Sequence, residues 1–247
     1  MSLPYFYVTD LSADTITLEE DTSKHVIQVL RMKVDEQLLL TDGKGTKAVA
    51  TILDDNRKRC TVKLSNVTQE PKRTTNVSIG ISLVKNASRF EWFLEKATEI
   101  GVTEIIPLIC DRTEKEKFRH DRLQSILISA MLQSQQCWLP VLHEPVAVDR
   151  LIKETNAQNK FIAHCLPNEK RQLASELIHH SPLTTHESAL ITHHASLILI
   201  GPEGDFTEKE IASALEQGFE PVALGNTRLR TETAGMVAAT LLCQLSQ

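Results

Sequence analysis

The fold of this chain is indicated most strongly by the stretch LILIGPEGDF, residues 197–206. Its first four residues are all apolar, which is typical of a strand buried on both faces of a parallel sheet. A second stretch, ALGNTRLRTETA at residues 223–234, also places a glycine loop after a short apolar run. Ligands of open α/β sheets bind beyond the carboxyl ends of the strands, where glycine lets main-chain groups come close to a ligand. We therefore expect the two loops to frame one pocket; the alternative is that Gly201, Gly204 and Gly225 serve only the turns.

The remainder of residues 73–247 alternates between strand-like and helical patterns. Apolar runs predict strands at 77–84, 104–110, 161–166, 197–200 and 221–224. Apolar residues at helical spacing predict helices at 88–101, 123–131, 172–178, 207–218 and 231–244. Capping boxes are predicted at Ser88 with Glu91 and at Thr207 with Glu210, and Gly218 is placed directly after the second of these helices. This alternation predicts an α/β domain with a parallel sheet.

The N-terminal part has a different pattern. Short runs rich in β-branched residues predict strands at 5–8, 15–18, 37–41, 48–53 and 60–67. One short helix is predicted at 23–31, and the polar, proline-marked segment 70–76 is predicted to be a linker. We therefore expect a small β-barrel over residues 1–72, followed by the α/β domain over 73–247.

Composition limits the function classes. The 247 residues include 27 Lys and Arg against 32 Asp and Glu, and this net charge of −5 excludes a non-specific polyanion binder. The five cysteines are odd in number and never in Cys-x-x-Cys spacing, which favours neither a disulfide framework nor a structural zinc site. No signal-peptide pattern and no apolar run of about 18 residues is found. We expect a cytoplasmic protein without membrane attachment.

Several common catalytic motifs are missing from the sequence. There is no strand-associated GxGxxG, no P-loop, no GxSxG and no HExxH. Five histidines fall within residues 179–194, but without a ligand spacing they favour a polar loop over a metal site. No metal cofactor is expected.

The two C-terminal stretches carry a family resemblance. The pattern Gly-Pro-Glu-Gly-Gly-Phe is met at 201–206 except at Asp205, and Leu-Gly-x-Arg-Ile-Leu-Arg-Thr-Glu-Thr-Ala is met over 224–234 except at Thr227 and Arg228. The sequence thus resembles the small-subunit ribosomal RNA uridine-N3 methyltransferases (RsmE), members of the SPOUT class. The resemblance covers nearly the whole chain, with a further departure at Gln136.

The resemblance implies a fold and an activity. It implies a PUA-like β-barrel that helps to bind RNA, followed by an α/β domain whose C-terminal part threads a trefoil knot; knots are otherwise nearly absent from proteins. It also implies a homodimer with the active site near the shared interface. The implied reaction is S-adenosylmethionine-dependent methylation of N3 of a uridine in 16S rRNA of the small ribosomal subunit.

The same resemblance implies which residues contact the cofactor. They are Ile200, Gly201, Glu203, Gly204, Leu224, Gly225, Asn226, Leu229, Arg230 and Thr233. Arg230 is also the candidate catalytic residue, because a permanent cation beside the base favours the N3 anion. Glu232 is a second catalytic candidate; alternatively it holds Arg230 or stabilises the start of the last helix.

Candidate RNA contacts are fewer. His25, Arg31 and Lys33 in the small domain and Arg112 in the large one are predicted to contact RNA. Residues 1–72 hold ten Lys and Arg against eleven Asp and Glu, so we expect weak binding to free RNA and a preference for a structured ribosomal particle.

Two rival interpretations remain at this point. The loop at 201–204 with the helix beginning near Thr207 suits an anion site, although four acidic residues in and beside it oppose this. The departures at Asp205 and Thr227 favour a non-catalytic RNA-binding or assembly factor with the same fold. Cofactor binding separates this last reading from the enzyme.

Overall fold

The computed structural model describes residues 3–73, 75–114, 118–167, 170–180 and 195–245. The chain divides into two compact units. The first comprises Met1–Lys72 with Met131–Leu139, and the second Arg73–Ala130 with Pro140–Gln247. The segment Met131–Leu139 therefore groups with the first unit, although the sequence pattern placed it in the α/β domain. Most of the histidine-rich segment lies outside the described residues.

The first unit is built on five strands. They are β1 (Tyr5–Tyr7), β2 (Thr15–Thr17), β3 (Gln37–Thr41), β4 (Thr46–Asp54) and β5 (Thr61–Gln69). The sheet order is β1-β3-β4-β5-β2, with β1 parallel to β3 and the other pairs antiparallel. The predicted all-β module is confirmed, but among the described residues β1 and β2 do not pair with each other, so hydrogen bonding does not close the barrel.

A short helical segment completes the core of this unit. Helix α1 (Glu20–Lys24) continues directly into a π-helical turn, His25–Val29, so the predicted helix at 23–31 begins and ends earlier than expected. The buried Ser23 hydroxyl donates to the Leu18 carbonyl at 3.0 Å and accepts the Cys60 N–H at 3.0 Å. These bonds hold the segment against the strands, and Val26 joins their apolar core.

The second unit is a parallel sheet with helices. Its strands are β6 (Asn76–Ser82), β7 (Glu104–Ile109), β8 (Val141–Leu142), β9 (Val146–Ala147), β10 (Asn159–Ala163), β11 (Arg171–Gln172), β12 (Ala195–Ile200) and β13 (Glu220–Ala223). Its helices are α2 (Ala87–Ile100), α3 (His120–Gln133), α4 (Val148–Glu154), α5 (Leu173–His180), α6 (Glu208–Glu216) and α7 (Thr231–Leu245). The sheet order is β11-β13-β10-β12-β6-β7-β8, β9 also pairs with β7, and every pair is parallel. The predicted parallel α/β sheet is confirmed. Within the described part of the chain, no helix has both the length and the apolar character needed to span a bilayer.

One of the two predicted capping boxes is present and the other is not. At α6 the box is confirmed, because Thr207 and Glu210 each bond the other's main-chain N–H. At α2 the prediction is wrong: Asn86 is the N-cap and accepts the Ser88 N–H at 3.0 Å. Glu91 forms a two-bond ion pair with the Arg122 guanidinium instead, at 2.7 and 2.9 Å.

The strand order brings three loops to one edge of the sheet. β10 lies between β12 and β13, and Ala163 is level with Ile200 on one side and with Val222 on the other. Since all three strands are parallel, the segments after them leave the sheet at the same edge. Among them are the two glycine loops that the sequence singled out.

Helix α7 packs closely on α2 and β6 at a glycine. A Cβ placed on Gly235 would lie 2.7 Å from the Phe93 ring and 2.8 Å from Ile81 Cδ1, both fully buried. Only glycine lets the helix approach this closely.

We expect Gly235→Ala to destabilise the protein by about 1–2 kcal/mol, because overpacking outweighs alanine's better helix propensity. Thr240→Ala on the exposed face of the same helix is the control and should change stability little. Chemical denaturation measures both. A Gly235→Ala variant as stable as the parent would contradict the close packing.

Candidate functional site

A cavity of about 660 Å³ opens in the second unit where β10, β12 and β13 end. It is lined by residues 163–165 with Lys170, by 200–203 with Asp205, and by 222–231 with Ala234. Three separate chain segments thus build one pocket. The sequence predicted two of them.

A buried hydrogen bond joins the two glycine loops. Thr231, the first residue of α7, donates from Oγ1 to the Gly201 carbonyl oxygen at 3.0 Å. Gly201 also packs tightly on Phe206: an added Cβ would lie 3.1 Å from both the ring and the main-chain nitrogen of that residue. The loop after β12 is therefore fixed both to the start of α7 and to its own continuation.

Asp205 connects the β12 loop to the segment after β10. Its carboxylate accepts the Cys165 N–H at 2.7 Å through one oxygen and the Phe206 N–H at 2.9 Å through the other. Its φ of 63° lies in the left-handed region, which aspartate tolerates better than most residues. The family pattern has glycine at this position, and glycine has no side chain that could join the two segments. Asp205 therefore adds a connection between them.

Arg112 holds the β12 loop, and Glu210 holds the main chain beside Arg112. Arg112 Nη1 donates to the Gly204 carbonyl oxygen at 2.6 Å, and the Glu210 carboxylate accepts the Asp111 N–H at 2.9 Å. The structure therefore places Arg112 as a brace of the β12 loop. Its predicted contact with RNA remains a prediction.

Most of the predicted cofactor residues line the cavity. Those that do are Ile200, Gly201, Glu203, Leu224, Gly225, Asn226, Leu229 and Arg230. Gly204 and Thr233 do not line it; Gly204 sits against Arg112, and Thr233 lies in the first turn of α7. Gly225 has a φ of 132°, so its main-chain conformation requires glycine.

The two catalytic candidates occupy different environments. Arg230 is exposed at the cavity, and its guanidinium forms no ion pair or hydrogen bond with another described residue, so it is available to a ligand. Glu232 is buried, does not line the cavity, and faces Arg89 Nε at 3.6 Å. Its partner is thus Arg89 and not Arg230, and no contact in the described chain supports a catalytic role for it.

The sequence did not indicate the third wall of the cavity. His164 is 7% exposed, and neither ring nitrogen has a hydrogen-bond partner among the described residues. Burial and then the Lys170 ammonium lower its pKa, which Asp205 raises to a smaller extent, so the site favours the neutral ring. The segment 161–166 was predicted to be a buried strand, and β10 ends at Ala163. The sequence feature that could have indicated this wall is a polar residue directly after an apolar run.

The predicted RNA contacts of the first unit lie on one short stretch. His25 is exposed and packs edge-on against the Phe6 ring, with 5.7 Å between centroids. Arg31 is exposed with a φ of 58°, and Lys33 Nζ lies 3.7 Å from an Asp55 carboxylate oxygen. Val29 between them is 66% exposed. Cationic and apolar groups therefore share this surface.

Known proteins share this organisation. Residues 70–243 match the RNA methyltransferase domain family, and residues 18–65 match the RNA methyltransferase PUA domain. The chain belongs to this family of RNA methyltransferases, and within it to the group of small-subunit ribosomal RNA methyltransferases E, so the resemblance seen in the sequence is confirmed.

Three relatives illustrate the match. A crystal structure of a probable rRNA-methyltransferase from Porphyromonas gingivalis is 37% identical, covers 96% of this chain and 95% of its own, and has a TM-score of 0.83. A structure of ribosomal RNA small subunit methyltransferase E from Neisseria gonorrhoeae bound to S-adenosyl methionine is 29% identical, covers 96% and 95%, and has a TM-score of 0.80. Ribosomal RNA small subunit methyltransferase E of Synechocystis is 28% identical over 227 residues, which cover 91% of this chain and 71% of the relative.

We expect Asp205→Gly to loosen the segment after β10 without straining the main chain, since glycine accepts the φ of 63°. Loss of a hydrogen bond to a charged group should speed exchange of the Cys165 amide by about tenfold or more. Hydrogen exchange measured on peptides that contain residue 165 checks this. Asp205→Asn keeps an acceptor oxygen and should show a smaller effect, and equal exchange in Asp205→Gly and the parent would contradict the assignment.

Proposed function

We propose that this protein transfers a methyl group from S-adenosylmethionine to N3 of a uridine in the 16S rRNA of the small ribosomal subunit. The observation that carries the proposal is the cavity at the carboxyl edge of the sheet, with the unpaired cation of Arg230 at its side. The family membership, and the S-adenosyl methionine bound to the Neisseria relative, support the choice of cofactor and substrate class.

The cavity fits this cofactor in size and chemistry. Ile200 and Val222 are almost fully buried and offer apolar contact, while Glu203 and Arg228 supply charge at the exposed side. Main-chain groups of the two glycine loops would meet the base and ribose, and Glu203 would orient polar atoms.

Arg230 would stabilise the N3 anion of the uracil. The N3–H of uracil is weakly acidic, and its lone pair becomes available only in the anionic form. A guanidinium beside the base favours that form and cannot itself lose its proton. The cofactor supplies a methyl group already activated by the positive sulfur, so the proposed reaction needs no metal ion.

The N-terminal and C-terminal domains would have different roles. We assign RNA binding to residues 1–72, through His25, Arg31 and Lys33, and catalysis to residues 73–247, with Arg112 beside the β12 loop. The small domain carries no basic excess, so binding should depend on the shape of a ribosomal particle more than on phosphate attraction.

Three further assignments belong to the same proposal. The C-terminal part would thread a trefoil knot, as the resemblance to the SPOUT class implies. The enzyme would act as a homodimer with the active site near the shared interface. It would work in the cytoplasm, where small subunits are found.

A non-catalytic RNA-binding or assembly factor is the alternative function. Its motivation was the pair of departures at Asp205 and Thr227. Asp205 keeps the left-handed conformation and connects two walls of the cavity, so that departure is compatible with a working site.

The direct test is transfer of labelled methyl from S-adenosylmethionine to small subunits from a strain that lacks this protein, followed by nucleoside analysis. Label in 3-methyluridine is expected. Label in another nucleoside would overturn the choice of base and atom, and absence of label despite measured cofactor binding would overturn the enzyme assignment.

We expect Arg230→Ala to lower kcat by about 100-fold, because one preorganised charge at the reacting atom is lost. Glu232→Gln, which removes a charge outside the cavity, is the matched control and should keep kcat within about threefold. Single-turnover methylation of small subunits measures both. Parent-like turnover in Arg230→Ala, with unchanged cofactor affinity, would contradict the role given to this cation.

A further inference from the structure

A second cavity, of about 530 Å³, opens in the second unit between the starts of helices α2 and α3. We call it the α2–α3 cavity. It is lined by residues 83–84 after β6, by 87–88 and 90–91 at the start of α2, and by 118–119 and 122–123 around the start of α3. The reaction proposed above makes no use of it.

The α2–α3 cavity lies at the same edge of the sheet as the cavity beside Arg230. Strand β6 ends at Ser82 and runs parallel to β12, with Ile81 level with Ile200. Residues 83–84, which follow β6 and line the α2–α3 cavity, therefore leave the sheet next to the β12 loop.

An ion pair connects the helices that carry the two cavities. Glu232, two residues after Arg230, faces Arg89 Nε at 3.6 Å. Arg89 lies in the first turn of α2 between Ser88 and Phe90, which both line the α2–α3 cavity. Among the described residues, the two cavities share no lining residue. They are therefore neighbouring but distinct sites.

One wall of the α2–α3 cavity is apolar. Its buried residues are Leu83, Val84, Phe90 and Leu123, and the half-buried Phe118 adds an aromatic ring. Bases of single-stranded RNA are bound by stacking on aromatic side chains and by apolar contact. This wall therefore suits a flat nucleobase.

The exposed part of the lining is polar and has an excess of positive charge. Ser88, Arg119 and Arg122 are exposed, and the carboxylate of Glu91 accepts two hydrogen bonds from Arg122 at 2.7 and 2.9 Å. The Arg119 guanidinium forms no hydrogen bond or ion pair with another described residue. Two arginines against one glutamate contrast with the net charge of −5 of the whole chain, and a guanidinium without a partner suits a phosphate group.

The position of the α2–α3 cavity indicates which nucleotide it holds. The methyl group is supplied in the cavity beside Arg230, so a base held in a distinct cavity is not the base that reacts. The ion pair of Glu232 with Arg89 places the two cavities next to each other, so one RNA strand can reach both.

We propose that the α2–α3 cavity binds a nucleotide next to the target uridine in the substrate RNA, with its base on the apolar wall and its phosphate at Arg119. This inference rests on the proposed function and adds to it a site for the RNA strand in the second unit.

The first test removes the charge of Arg119. Arg119→Gln should weaken binding of small subunits from a strain that lacks this protein by about fivefold or more, measured by filter binding. Loss of one phosphate contact should also reduce the slope of log affinity against log salt by about 0.7. Affinity for S-adenosylmethionine, measured by calorimetry, should not change.

Arg150→Gln is the matched control, because it removes an exposed arginine of α4 that lines neither cavity. It should change neither the affinity for small subunits nor the salt slope. Parent-like affinity and slope in Arg119→Gln would overturn the inference.

The second test obstructs the cavity itself. Ser88→Leu places a larger side chain at its exposed side, whereas Ser88→Ala leaves it open. The leucine variant should bind small subunits about tenfold more weakly, and the alanine variant should stay within about threefold of the parent. Both should keep the parent Tm, since Ser88 is exposed. Equal binding by the two variants would overturn the inference.

Other occupants of the α2–α3 cavity give different results. A free nucleotide would show as micromolar binding of uridine 5′-monophosphate that Arg119→Gln abolishes, with small-subunit binding unchanged. A second copy of this chain would show as a change of oligomeric state in Ser88→Leu, measured by light scattering. Either result would overturn the inference. A parent protein that transfers no methyl group to small subunits would overturn the proposed function and this inference with it.

Discussion

The hydrogen bond from the Thr231 hydroxyl to the Gly201 carbonyl oxygen is the constraint on which the site depends. It is buried, and it joins positions 30 residues apart at the start of α7 and the end of β12. A buried carbonyl oxygen needs a donor, so separating the two loops would cost the bond and leave that oxygen unpaired. Gly201 cannot move toward Phe206 to escape, because the two are already in close contact.

The other connections follow the same principle. Asp205 holds the main chain after β10, Arg112 holds the Gly204 carbonyl of the β12 loop, and Glu210 holds the main chain at Asp111, after β7. Each uses a side chain to bind a main-chain group of another loop, so the cavity keeps its shape without a ligand. The Arg230 guanidinium is then left without a partner among the described residues, which is why it is assigned to a ligand contact.

Local patterns predicted the main elements because they report burial along a single segment. The apolar runs that became β6, β10 and β12 were recognised for this reason, and so was the box at Thr207. The two-residue strands β8, β9 and β11 were not predicted, since two residues show no periodicity. Helix α4, of seven residues, was not predicted either. Asn86 took the cap predicted for Ser88 because caps are decided by one or two positions.

The site was predicted only where it lies on motifs. The sequence indicates both glycine loops, but it predicts a buried strand at His164 and shows Asp205 only as a departure from the family pattern. Their roles depend on the order β13-β10-β12, which is a long-range property that no local pattern contains. For Glu232 the sequence leaves a catalytic role, a bond to Arg230 and stabilisation of the start of α7 open, whereas the structure gives it Arg89 as a partner.

The most direct test of this account is calorimetric binding of S-adenosylmethionine to Thr231→Val and Thr231→Ser. Valine keeps the shape but removes the hydroxyl, and serine keeps the donor. The account predicts that the valine variant binds about tenfold or more weakly and that the serine variant binds nearly as tightly as the parent. Parent-like affinity in Thr231→Val would contradict the claim that this bond shapes the cavity.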